Sequence, residues 1–92
     1  MNNIDWSKMI TAEMKAEQAA ASALAAAKAE LARLRAIADD AVSPLQDAVD
    51  LEMATDEETA LLTAWKRYRV ELSRVPSQEG YPASIEWPTA PA

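Results

Sequence analysis

Two sets of charged side chains are the first candidates for chemistry. Between Asp39 and Glu58 lie eight carboxylates and no cation: Asp39, Asp40, Asp47, Asp50, Glu52, Asp56, Glu57 and Glu58. Such a concentration suits a calcium site or an acid–base pair. A calcium loop needs oxygen ligands alternating around a tight, Gly-containing turn, and the pattern D-x-[DN]-x-[DN]-G does not occur. An acid–base pair needs a substrate cleft, which two or three helices hardly supply. The better reading is a solvated acidic end that faces a basic partner. The second set, Lys66-Arg67-Tyr68-Arg69 with Arg74, interleaves cations with Trp65 and Tyr68 and superficially resembles a nucleic-acid surface. On a helix, however, Trp65, Tyr68 and Leu72 share one face while Lys66, Arg67 and Arg69 occupy others, where cations are normally solvated or paired. The net charge of −6 repels nucleic acid and anionic membranes alike. Protein is the expected partner.

The absent residues narrow the chemistry further. The sequence has no His and no Cys, which removes the commonest general base and metal ligand, every thiol nucleophile and any disulfide. Gly80 is the single glycine, so no glycine-rich loop is present to cradle a phosphate. A non-enzymatic protein that works without cofactor or metal is expected. The N-terminal residues carry no apolar stretch of signal-peptide type, which predicts that the chain stays where it is made. The longest uncharged run of the first helix, Gln18 to Ala27, is ten residues long, about half of the ~20 that span a bilayer, so no membrane span is expected.

The elements that position these residues are helical. A chain of 92 residues supports one domain at most. Residues 1–42 are rich in Ala, Glu, Lys, Leu and Arg without Gly or Pro, and predict one long helix, for which Asp5, Ser7 and Thr11 are candidate N-caps. Leu24, Ala27, Leu31, Leu34, Ala38, Ala41 and Leu45 alternate three and four apart, the spacing of a coiled-coil-like seam. Ser43-Pro44 predicts a joint, followed by a short helix carrying Leu45, Ala48, Val49 and Glu52. Thr55 and Glu58 have capping-box spacing and open a second main helix that runs to about Arg74, with Leu61, Trp65, Tyr68, Leu72 and Val75 as its seam. A short connection around Met53–Thr55 makes residues 43–75 close an antiparallel hairpin with the first helix. Pairing from the turn leaves roughly residues 1–30 without an intramolecular partner, so a homo-oligomer joined through residues ~10–40 is expected. Residues 76–92 carry Pro76, Pro82, Pro88 and Pro91 and predict an extended tail; Ile85 and Trp87, two apart, would share one face of it. With Tyr81 they make it a docking tail, which either folds back on the hairpin or meets another protein. The fold class is therefore all-α: a long helix, a shorter antiparallel helix and an extended Pro-rich tail.

The stretch from Leu45 to Pro88, with Pro44 ahead of it, reads PLQDAVDLEMATDEETALLTAWKRYRVELSRV, then a short variable piece, then IEWP. Its order of motifs, PLQDAVDL, AT-D-E-E, W-K-R-Y-R-V-x-L and terminal I-E-W-P, resembles the C-terminal region of the tail-fibre assembly proteins of tailed bacteriophages and prophages. The resemblance implies a chaperone that binds the distal, receptor-binding part of a trimeric tail-fibre protein and helps it fold and trimerise. It implies action in the cytoplasm of a bacterial host, with retention at the fibre tip of the virion in some phages. Many members carry a further domain ahead of this region, where here a long helix stands. By the same resemblance Trp65, Tyr68, Arg69 and Leu72 match the W-x-x-Y-R-x-x-L helix, and Ile85, Trp87 and Pro88 the terminal motif. These seven residues and Tyr81 are the candidate partner-binding set. The alternative is a structural coiled-coil component of the phage tail or fibre tip that does no folding work.

Overall fold

A computed structural model describes the backbone of residues 6–91 and the side chains of residues 15–91. The chain forms a helical hairpin: α1 runs Trp6–Asp50, α2 runs Asp56–Arg74, and a 3-10 turn at Val75–Ser77 (η1) begins the tail. The all-α hairpin expected from the periodicity is the fold observed. Of the cap candidates for α1, Ser7 and Thr11 lie inside the helix and Asp5 lies outside the described residues.

The seam between the helices is where apolar side chains leave water. On α1, Ala27, Leu31, Ala38, Val42 and Leu45 are buried, with Leu34 half-buried beside them. On α2, Leu62, Tyr68 and Leu72 are buried, followed by Val75 in η1. They form two clusters, one around Leu31, Ala38, Tyr68, Leu72 and Val75, the other around Val42, Leu45 and Leu62. Trp65 packs against both and bridges them. The seam of α2 enters at Leu62 and not at Leu61, which is 37% exposed. The pair Leu61-Leu62 offers two registers at similar helical spacing, and packing against Val42 and Leu45 selects the second.

The joint expected at Ser43-Pro44 does not form; Pro44 lies inside α1, which continues without interruption to Asp50. An interior proline costs about 3 kcal/mol through its missing N–H and its clash with the preceding turn. Val42 and Leu45, one on each side of Pro44, are both buried against Leu62 and Trp65. Burial of side chains of this size stabilises by about 1.5–3 kcal/mol each, enough to hold the helix through the proline.

The two ends that meet at the turn are fixed by different devices. Beyond Asp50, Met53 N–H donates to the Ala48 carbonyl at 2.7 Å and Glu52 N–H to the Val49 carbonyl at 3.0 Å. This pair of bonds is the Schellman arrangement, with Glu52 at the left-handed position (φ 58°) that glycine usually fills. Glu52 thus lies past the helix and not in register with Leu45 and Val49 as its spacing had suggested. At the start of α2 the expected capping box is present: Glu58 N–H donates to Thr55 Oγ1 at 3.0 Å, and Thr55 N–H donates to Glu58 Oε1 at 3.0 Å. Asp56, Glu57 and Glu58 in the first turn complement the positive end of the helix dipole.

A non-glycine residue held in the left-handed region costs about 1–2 kcal/mol, part of which glycine would return as lost backbone entropy. Glu52→Gly is therefore expected to raise the unfolding free energy by about 0.5–1 kcal/mol, read as a higher midpoint in urea at unchanged slope.

Candidate functional site

Residues after η1 fold back across the hairpin. The chain turns through Gln78–Ser84, with a cis peptide bond between Tyr81 and Pro82, and then runs without regular structure to Pro91. Tyr81 and Ile85 pack against the cluster of Leu31, Leu72 and Val75 and close the open end of the seam. Of the two outcomes foreseen for the tail, Tyr81 and Ile85 take the intramolecular one.

A side-chain clamp holds this loop. The Gln78 amide nitrogen donates to the Glu86 carbonyl at 2.7 Å, and Glu86 N–H donates to Gln78 Oε1 at 2.8 Å. Gln78 thereby satisfies both backbone groups of Glu86, as a neighbouring strand would. Ser84 N–H also donates to the Gly80 carbonyl at 2.8 Å. At Gly80 a Cβ atom would collide with the Ser84 carbonyl oxygen and lie 2.9 Å from Ser84 Cβ, so the turn has room only for glycine. From Pro76 onward the sequence predicts an extended tail; residues 75–84 instead form the 3-10 turn and the turn that Gly80 makes possible. The reach of Gln78 to Glu86 has no sequence pattern and was not foreseen.

The candidate partner-binding residues separate by depth. Tyr68 and Leu72 are 3% and 0% exposed and sit in the helix–helix seam. Trp65 is half-buried and meets Tyr68 edge-to-face, ring centroids 5.7 Å apart, a contact of about 0.5–1.5 kcal/mol beyond its burial. Burial raises the Tyr68 phenol above its ordinary pKa; the positive charge of Arg33 pulls the other way. Arg69 lies outside the seam, with its Nε 3.2 Å from Asp39 Oδ1 across the two helices. Both partners of this pair are well exposed, so it contributes at most about 1 kcal/mol.

In the tail, Ile85 is half-buried, Pro88 half-buried and Trp87 37% exposed. Ile85 and Trp87 line one notch of about 370 Å³, whose far wall is Ala23, Ala26, Ala27 and Glu30 of α1. Beside the notch, Arg33 holds Glu30 in a bidentate pair, Nε–Oε1 2.6 Å and Nη2–Oε2 2.8 Å. Hydrogen bonding from Arg33 lowers the Glu30 carboxyl below its usual range. The backbone groups of Ile85 and Trp87 make no hydrogen bond among the described residues. Gln78 thus engages both backbone groups of Glu86 and leaves those of Ile85 and Trp87 outside the clamp.

The acidic set does not converge. Asp39 pairs with Arg69, Asp50 accepts from the Gln46 amide at 2.9 Å, and Glu58 serves the capping box. No group of three His, Cys, Asp or Glu among the described residues is placed to hold a metal ion. No helix among them is long and apolar enough to cross a membrane.

The described residues thus form a two-helix scaffold with a tail clamped across it. The family described as "Caudovirales tail fibre assembly protein, lambda gpK" matches residues 2–92, and the chain belongs to it. Relatives agree over shorter stretches. The chain is 57% identical over 58 residues to "Protein TfaD" of Escherichia coli (strain K12), covering 63% of this chain and 30% of that protein. It is 53% identical over 58 residues to the "Tail fiber assembly protein" of Escherichia phage lambda, covering 63% of this chain and 29% of that one. With the "Tail fiber assembly protein U" of Escherichia phage Mu the identity is 45% over 65 residues, 71% of this chain and 34% of the relative. The matched region thus spans about a third of the length of these curated relatives. No solved structure matches the chain.

The geometry at Gly80 supplies a test of the clamp. Gly80→Ala is expected to lower hydrogen-exchange protection at least about tenfold at the amides of Ser84 and Glu86, the two that close the loop, while the amides of mid-α2 keep theirs. Unchanged protection at Ser84 would contradict the tight fit.

Proposed function

We propose that this chain assists tail-fibre assembly by stoichiometric binding: it engages the distal, receptor-binding part of a tail-fibre protein and helps that part fold and trimerise, without turnover or cofactor. The observation that carries the reading is the segment Ile85–Pro88, held at Glu86 by Gln78 and carrying Trp87, which is 37% exposed. A fibre tip that has not yet trimerised exposes apolar surface and unpaired strand edges, both of which drive aggregation. A held segment beside a half-exposed tryptophan can add to such an edge and cover the surface next to it, a mode in which main-chain bonds give affinity and side-chain pockets give specificity. Because the clamp holds the segment in place, less conformational entropy is lost on binding.

In this reading Trp87, Pro88 and Ile85 make the contact. Trp65, Tyr68 and Leu72 act through the hairpin that supports the tail, and Tyr81 anchors the tail to it. Arg69 stands at the surface with Asp39. The reading also includes self-association through α1, supported by residues 15–22, all exposed and beyond the reach of both α2 and the tail.

The test is co-expression with the tail-fibre gene of the same genome. Fibre trimer resistant to dissociation is expected with the chain and little without it, and Trp87→Ala is expected to lower the trimer yield severalfold while leaving the helical melt unchanged. Equal trimer yield in its absence would overturn the assembly role. Recovery of the chain in fixed ratio from purified particles, with no effect on trimer yield, would favour a structural virion component instead. Sedimentation equilibrium on the same material is expected to show a dimer or larger species; a monomer at high concentration would refute the self-association.

A further inference from the structure

The tail covers only one flank of the hairpin. Its residues Ala83, Ile85 and Trp87 lie against Ala23, Ala26 and Glu30 of α1, and Thr89 and Pro91 lie against Ala64, Arg67 and Glu71 of α2. The opposite flank is open. There two concavities of about 440 and 450 Å³ share Arg35 and run on from one another. The first is bounded by Arg35 and Asp39 of α1 and by Lys66, Arg69 and Val70 of α2. The second continues over Leu24, Lys28 and Leu31 and ends at Pro76 and Tyr81. Between Leu24 and Asp39 the groove follows α1 for ~22 Å at about 1.5 Å per residue, the length of four helical turns.

Its charge is the reverse of the molecule's. Lys28, Arg35, Lys66 and Arg69 line it against the single carboxylate Asp39, in a protein whose net charge is −6. Asp39 is engaged by Arg69, and Lys28, Arg35 and Lys66 form no ion pair among the described residues. The basic run read from the sequence is split by the helix: Lys66 and Arg69 face this groove, whereas its neighbour Arg67 faces the tail. Apolar ground accompanies the cations, since the half-buried Leu24 and Tyr81 line one end and Val70, 46% exposed, lines the other.

We propose that this groove binds an acidic amphipathic segment of the tail-fibre protein, laid along the hairpin as a third helix with its apolar stripe on Leu24 and Val70 and its carboxylates toward Lys28, Arg35 and Lys66. The proposal rests on the assembly reading above and adds a second contact, on the flank that the tail does not use. A protein segment fits better than nucleic acid because the apolar ground needs a partner, a phosphate backbone offers none, and the acidic turn-end of the hairpin would repel the duplex on either side of the groove.

The test compares two charge reversals at adjacent positions on opposite flanks, Lys66→Glu and Arg67→Glu, by titrating each variant of the full chain against the tail-fibre protein encoded with it. Lys66→Glu is expected to weaken binding about tenfold in low salt, with the difference shrinking in 0.5 M NaCl, and Arg67→Glu to change it less than twofold. Lys28→Glu, on the other helix, is expected to repeat the loss and serves if Lys66→Glu lowers the melting temperature. Equal loss from both reversals, or none from either, overturns the groove as a binding site while wild-type binding keeps the assembly reading. A wild-type chain that does not bind the fibre removes both. Retention of the wild type on duplex DNA at 150 mM salt, abolished by Lys66→Glu, overturns the proposal in favour of nucleic acid.

Discussion

The structure depends on the contact between α1 and α2 at the level of Ala38, Leu72 and Val75, each of which is wholly buried. Ala38 is the enabling residue. Its small side chain lets the helices approach closely where the larger Leu72 and Val75 must fit, and the dispersion contacts of a close-packed seam grow steeply as the gap closes. Around this point Leu31 and Tyr68 complete one cluster, and Trp65 carries the packing on to Val42, Leu45 and Leu62. The second cluster in turn holds α1 straight through Pro44. Without that burial the local preference at Ser43-Pro44 would win and the turn-end of the hairpin would lose its register.

A seam of this kind has an end wherever the shorter helix stops. With 19 residues against 45, α2 covers only the later part of α1. The chain answers by turning at η1 and laying Tyr81 and Ile85 over Leu31, which moves the end of the core one or two turns further along α1. Having crossed α1, the tail has to descend on one flank, and it leaves the other uncovered. The clamped tail on one flank and the open cationic groove on the other are therefore two consequences of one mismatch in helix length. Neither needs a dedicated domain to build it.

Much of this was legible in the sequence, and what was not has identifiable causes. Heptad spacing through Leu24, Leu31, Ala38 and Leu45 marked the buried face of α1, because a helix in contact along one side must repeat at that period. Thr55 and Glu58 marked the start of α2, because a capping box is a local device whose partners are three residues apart. Pro44 misled: its penalty is local and its compensation is tertiary, from residues that no window around it contains. Leu61 and Leu62 were ambiguous for the same reason. The candidate site was half legible. The motif Ile85-x-Trp87 singled out the segment, yet the clamp that holds it pairs a side chain at Gln78 with a backbone eight residues away, and that leaves no periodic trace. Nor could spacing show that Tyr68 and Leu72 support the site from within the core while Trp87 remains at the surface.

Under the assembly reading proposed above, the arrangement also couples partner binding to the stability of the hairpin. Tyr81 and Ile85 belong to the same cluster as Leu31, Leu72 and Val75, so the tail is part of the core and not an appendage to it. A partner that reads the tail in its docked form binds the folded hairpin in preference to any state in which the core has opened, and stabilises it by mass action. A partner that pulled the tail away would instead expose Leu31 and Val75 and forfeit that gain. The Gln78 clamp raises the cost of the second route, since release would leave both backbone groups of Glu86 to find water together. Under the assembly reading proposed above, recognition of the docked tail is the route that this packing favours, because the two bonds from Gln78 to Glu86 stay intact in it.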